Sequence, residues 1–104
     1  MIEQTFKMTA GNQKTIEKII QDENIHYNHM ILSKGDRLPV HFSNSNVYMT
    51  VLRGRLTIGL DEQQPSQYDS GTILKIPSET RMDVANTHDG VLEITVVKAP
   101  APTN

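Results

Sequence analysis

The chain has 104 residues, enough for one domain around a single core and too few for a second. Ten Lys and Arg against twelve Asp and Glu leave a formal charge of -2 with no block of like sign, so the basic stripe that nucleic acid requires is excluded. Cysteine is absent, which excludes disulfides and thiolate metal sites and fits a reducing compartment; a cytoplasmic protein is expected.

The chain starts Met1-Ile2-Glu3-Gln4-Thr5, without the basic start and apolar run of a signal peptide, and no stretch reaches the length of a membrane span. Two Phe and three Tyr in a 37% hydrophobic sequence predict a core of Val, Ile, Leu and Met. Turn signals at 10–12, 22–24, 34–36, 43–46, 53–55, 61–66, 69–71, 77–79 and 88–90 mostly leave strand-length segments between them. That rhythm predicts an all-β sandwich or barrel.

In residues 14–20, Ile16, Ile19 and Ile20 fit a helix face, and Ile16, Lys18 and Ile20 fit a strand less well. The stretch is short for a helix and runs straight into a turn, so a strand is predicted, with a helical turn as competitor. Residues 1–24 are read as an N-terminal strand or hairpin packing on a barrel of residues 25–98. Within 25–32, His26 and His29 differ in parity, so a regular strand separates them and they do not chelate jointly.

In 47–52, Val47, Met49 and Val51 share one face while Tyr48, Thr50 and Leu52 share the other. Both faces are largely apolar, as for a strand buried between sheets or against a second subunit. Leu56, Ile58 and Leu60 alternate with Arg55, Thr57 and Gly59, giving one wet face. Arg53 and Arg55 are read as a solvated edge or, less simply, a clamp for an anion, and Arg81 and Asp83 as a local ion pair. Asp89-Gly90 turns into a last strand whose Leu92, Ile94 and Val96 share a face, and His88 in that turn is expected in solvent. The tail 99–104 alternates Pro with small residues and is expected to be extended and poorly ordered.

Two spacings remain. Gly35, His41, Ser43, Val47 and Gly54 hold the register of Gly, five residues, His-x-His, three or four residues, Glu, six residues, Gly. Gly71, Pro77, Glu79, Met82 and Asn86 hold that of Gly, five residues, Pro-x-Gly, two residues, His, three residues, Asn. The pair resembles the two motifs of the cupins, in particular small single-domain barrels of the cupin 2 type, and the resemblance spans 25–98. It implies a cupin jelly-roll β-barrel, a double-stranded β-helix, and association as a homodimer. The glycines belong at sharp turns, and the segment from Gly71 to Pro77 brackets a strand just long enough to cross a small barrel.

Cupins generally place two His and a Glu from the first motif and one His from the second on a divalent metal. Here only His41 keeps its ligand type, while Ser43, Val47 and Met82 do not. A single imidazole falls short of the three protein ligands of a catalytic site, so no metal and no other cofactor is expected. Register and parity instead gather His41, Ser43, Val47, Met49, Met82, Val84 and Asn86 inside the barrel.

This interior is read in two ways: packed shut by Met49 and Met82, or open to a small apolar ligand oriented by His41, Ser43 and Asn86. No inward carboxylate is evident to orient His41 as a base, so the reading leans away from an enzyme. Three classes follow: a small-molecule binding barrel, a metal-dependent cupin enzyme of isomerase or dioxygenase type with a non-standard site, and a structural or partner-binding barrel with a filled interior.

Overall fold

The computed structural model describes residues 1–103; Asn104, the last residue of the proline-rich tail, lies outside the described residues. Nine strands follow one another: β1 (Thr15–Gln21), β2 (His26–Leu32), β3 (His41–Phe42), β4 (Asn46–Arg53), β5 (Arg55–Leu60), β6 (Ser66–Asp69), β7 (Ile73–Ile76), β8 (Arg81–Ala85) and β9 (Leu92–Ala99). They form a five-stranded sheet, β1-β2-β9-β4-β7, and a four-stranded sheet, β3-β8-β5-β6. Every pairing is antiparallel. Among the described residues no helix is long and apolar enough to cross a membrane.

Alternation places the core where the sequence predicts it. Val47, Met49 and Val51 from β4, Leu56 and Ile58 from β5, Met82 and Val84 from β8, and Leu92, Ile94 and Val96 from β9 are each at most 4% exposed and form one cluster between the sheets. Each buried large aliphatic side chain contributes roughly 1.5–3 kcal/mol by leaving water, so this seam is the main source of stability. Tyr48, Thr50 and Leu52 point the other way and stay partly or largely accessible.

Residues 14–20 contain a strand and not a helical turn, because pairing with β2 satisfies backbone groups that so short a helix would leave open. The pairing carries a bulge between Lys18 and Ile20. Residues 1–14 form an irregular strap. Its Phe6 and Met8 line a shallow pocket with Ile19, Ile20 and Tyr27 on the outer face of the large sheet.

The motif glycines act as corners. Gly54 has φ +81°, and a Cβ there would lie 2.1 Å from the carbonyl oxygen of Val91, a clash on top of a left-handed backbone. Glu79, where the second motif usually has Gly, retains a left-handed backbone at φ +67°, and its amide donates to the carbonyl of Ser43 at 2.8 Å. The side chain has changed and the turn has not.

The tail is better held than its composition predicts. Ser45 Oγ donates to the carbonyl of Pro100 at 2.5 Å, and the amide of Ala101 donates to the carbonyl of Asn24 at 2.9 Å. These bonds lay residues 100–103 against the β1–β2 turn and the β3–β4 loop.

Candidate functional site

The residues expected to line an interior pocket mostly form packed core or backbone scaffolding. Val47, Met49, Met82 and Val84 are 0%, 1%, 3% and 2% exposed and belong to the apolar cluster. Ser43 Oγ donates to the carbonyl of Pro77 at 2.9 Å and accepts from the amide of Thr80 at 3.0 Å. Asn86, 1% exposed, donates through Nδ2 to the carbonyls of Leu32 and Gly90 and accepts from the amide of His88. These polar groups already have partners and fix loops to strands.

His41 corrects the expectation most clearly. Its register opposite Met82 keeps it on the predicted face, yet it is exposed. β3 has only two residues and lies at the edge of the small sheet, and the ring Nδ1 sits 3.0 Å from the carbonyl of Pro39. The four positions at which the cupin motifs carry ligands therefore do not fit a metal here: an exposed imidazole, a satisfied hydroxyl, and a valine and a methionine inside apolar packing. Among the described residues no group of three or more His, Asp and Glu side chains is placed to hold a metal ion.

The other polar predictions also change partners. Arg81 and Asp83 do not pair: the amide of Arg81 donates to Asp61 Oδ1 at 2.9 Å, and Asp83 accepts from Arg37 Nε at 3.0 Å. Arg55 pairs with Asp69 at 3.2 Å. His88 is half-buried rather than solvated, and its Nε2 is buried with no hydrogen-bond partner among the described residues.

Arg53 is neither a free edge nor an anion clamp. It donates from Nη1 to Asn12 Oδ1 at 2.7 Å and from Nη2 to the carbonyl of Gly11 at 2.6 Å. Its Nε lies 3.2 Å from Glu93 Oε1, an ion pair misaligned for a hydrogen bond. The guanidinium thus ties the N-terminal strap to the large sheet.

Beside it lies a cluster with no counterpart in the sequence reading. His29, 0% exposed, has Nδ1 2.8 Å from Glu17 Oε1 and Nε2 2.6 Å from Glu93 Oε2. An ionised carboxylate only accepts, so with both glutamates ionised both ring nitrogens donate. Glu17 also accepts from the amide and the hydroxyl of Thr9, both at 2.8 Å. Those Thr9 bonds, then His29, hold its carboxyl below the usual glutamate range. The cluster fastens β1, β2, β9 and the strap together.

An open concavity lies elsewhere, on the inner face of the large sheet where β1, β2 and β9 run side by side. Antiparallel register puts Lys18 opposite Asn28 and His26 opposite Lys98, and Asn28 is also opposite the core residue Val96. The bulge in β1 brings Gln21 to the same face. Asn44 from the β3–β4 loop and Pro102 and Thr103 from the tail complete a basin of about 410 Å³.

Asn28 is 8% exposed, and its Oδ1 is fully buried with no hydrogen-bond partner among the described residues. Lys98 is half-buried, and burial, then the charge of Lys18, lowers its ammonium below the usual lysine value. The sequence contains all these residues, but their meeting depends on a three-strand register and a bulge. The apolar parity of 47–52 and 92–96 does not report it.

Two antiparallel sheets closed on one apolar core, with glycine corners at both motif turns, define a double-stranded β-helix barrel. No family model matches the chain. An uncharacterised protein of Methanocaldococcus jannaschii is 35% identical over 103 residues, covering 98% of this chain and 89% of that protein. The crystal structure of that same protein, an RmlC-like cupin family protein with a double-stranded β-helix fold, superposes with a TM-score of 0.95 over 98% of this chain and 94% of that one.

The fold extends to more distant barrels. A cupin 2 conserved barrel domain protein from Salinispora arenicola superposes with a TM-score of 0.70 at 14% identity, covering 88% of this chain and 79% of that one. The chain belongs to the RmlC-like cupin family, as a small all-β barrel.

Proposed function

We propose that this cupin is a small-molecule binding barrel whose ligand occupies the basin formed by β1, β2 and β9. The observation that carries this reading is the basin itself, an open concavity of about 410 Å³ lined by polar side chains of three strands, while the interior polar groups Ser43 and Asn86 are satisfied by the fold. The apolar interior ligand anticipated from parity has less support, because Met49 and Met82 occupy that volume. With no cysteine, the chain suits a reducing compartment, and the proposal places it in the cytoplasm.

The test is a thermal-shift screen of polar and apolar small molecules against the full chain and Asn28→Leu. A ligand that binds the folded state raises the midpoint. Stabilisation of the native protein that is lost in Asn28→Leu supports the basin; equal stabilisation of both, or none by any compound, contradicts it.

A second reading, association into a homodimer, is favoured by the outer face of β4 and β7. Leu52 and Ile73 are 41% and 69% exposed there, beside the partly accessible Tyr48 and Thr50. Sedimentation across a concentration series tests it, and a monomer throughout counts against it.

A further inference from the structure

The N-terminal strap is held to the barrel by side chains and not by a ladder. Among the described residues, positions 1–14 make no backbone–backbone hydrogen bond with either sheet. Phe6 and Met8 remain 50% and 45% exposed, so apolar burial holds the strap only weakly. Its polar fastenings sit at two ends of one short segment. Thr9 donates twice to Glu17 on β1, while Asn12 and Gly11 accept from Arg53 on β4. A 3.2 Å bond from Ser33 Oγ to the carbonyl of Asn12 is a third.

His29 joins the two ends. Charges alternate along Glu17, His29, Glu93 and Arg53, with contacts of 2.8, 2.6 and 3.2 Å, and they sum to zero only while the imidazole carries both ring protons. Glu17 from β1 and Glu93 from β9 are the titratable groups that face the ring, Arg53 from β4 faces Glu93, and the strap contributes only the uncharged Thr9.

A neutral imidazole keeps one N–H and turns a lone pair outward at its other nitrogen. Because the ring is 0% exposed, that lone pair faces a carboxylate oxygen. A proton lost from Nδ1 sets it against Glu17 Oε1, the same atom that accepts the Thr9 amide. A proton lost from Nε2 sets it against Glu93, the carboxylate paired with the Arg53 that holds Gly11 and Asn12. Either loss reaches a strap fastening.

We propose that His29 is a proton-controlled latch: residues 9–12 are closed over the large sheet while the doubly protonated imidazole lies between two ionised carboxylates, and both ends open together when any one of these three charges is lost. The device lies on the outer face of the sheet and does not depend on the basin, which lies on the inner face. On the acid side, Glu17 is held below the usual glutamate range by the Thr9 bonds and then by His29, so its contribution to closure is lost only as pH falls through that lowered value.

Nitrogen-15 relaxation of the full chain across a pH series, with the His29 ring nitrogens followed in the same samples, tests the latch. In the closed state the amides of Thr9, Gly11 and Asn12 should show order parameters near about 0.85, and in the open state all three should fall below about 0.6 while Ile94 stays rigid. On the alkaline side the fall should coincide with the change of the His29 ring from two N–H groups to one.

Glu17→Gln removes the charge at the Thr9 end, and Arg53→Gln removes the donor at the Gly11 and Asn12 end. Each should loosen all three amides at a pH where the native strap is rigid. Loosening confined to the altered end shows two independent fastenings and overturns the latch. A strap that stays rigid after the His29 ring has lost a proton overturns it too, as does a strap that is mobile throughout the pH series.

Discussion

Asn86 donates from Nδ2 to the carbonyl of Leu32 at 3.0 Å, across 54 positions of chain, from a side chain that is 1% exposed. The same amide nitrogen donates to Gly90 at 2.8 Å, and the backbone of Asn86 exchanges bonds with Gly35 and Asp36. The last residue of the second cupin motif thus fastens both motif loops to β2. Asn86→Leu takes this donor from the buried Leu32 carbonyl and from that of the exposed Gly90, and should destabilise the chain by about 1–3 kcal/mol in urea unfolding. A loss below about 0.5 kcal/mol would show that water or a neighbour replaces the amide.

Glu79 occupies a left-handed backbone position, φ +67°, where the family motif has glycine. A residue with a Cβ is strained there, so Glu79→Gly should raise stability by about 1 kcal/mol. Gly54→Ala should do the reverse. Its Cβ would meet the Val91 carbonyl at 2.1 Å, and a loss of about 3 kcal/mol or more is expected from the same urea measurement.

His29 lies between Glu17 and Glu93, and the strap depends on it through Thr9 and Arg53. His29→Ala leaves two carboxylates facing a vacated, water-poor site, and a loss of about 2–3 kcal/mol is expected, less than for a fully buried pair because both glutamates are partly exposed.

Glu17 gives this cluster its acid dependence. Its folded-state carboxyl titrates below the usual glutamate range, so its contribution is complete above the unfolded value and is lost as pH falls through the lowered folded value. Hydrogen exchange at the Thr9 amide should accelerate relative to a core amide such as Ile94 over that acidic window. Glu17→Gln should show fast Thr9 exchange at neutral pH with little further change on acidification. A Thr9 amide equally protected in both proteins would contradict the account.

Much of the frame was legible because it rests on short-range rules. Period-two alternation identified the inward faces of β4, β5 and β9, and the spacing of Gly35, Gly54, Gly71, Pro77 and Asn86 identified the corners. Parity also placed His41 correctly relative to Met82. It could not show that an edge strand of two residues leaves the imidazole exposed.

The basin and the buried histidine were illegible for a different reason. Lys18, Asn28 and Lys98 come together through pairings of distant strands, and Gln21 joins them only because of a bulge that strict alternation does not anticipate. Likewise, His29 points to the outer face as parity requires, but its burial depends on neighbouring strands and a strap whose sequence has no regular period.

His41→Ala should change stability by less than about 0.5 kcal/mol and leave ligand affinity at the basin unchanged, because the ring is exposed and its Nδ1 lies against its own backbone. Calorimetry with a compound that stabilises the chain in the thermal-shift screen, beside urea unfolding, checks both statements. A large loss of either would restore His41 to a functional site inside the barrel mouth.

The most direct test of a preserved frame around a closed interior is chemical-shift mapping of the full chain, with methionine methyl groups labelled, during titration with a compound that stabilises the chain in the thermal-shift screen. The account predicts movement at His26, Asn28, Asn44 and Lys98, while the Met49 and Met82 methyls stay fixed. Movement centred on the Met49 and Met82 methyls and on Ser43, with the basin unmoved, would contradict it.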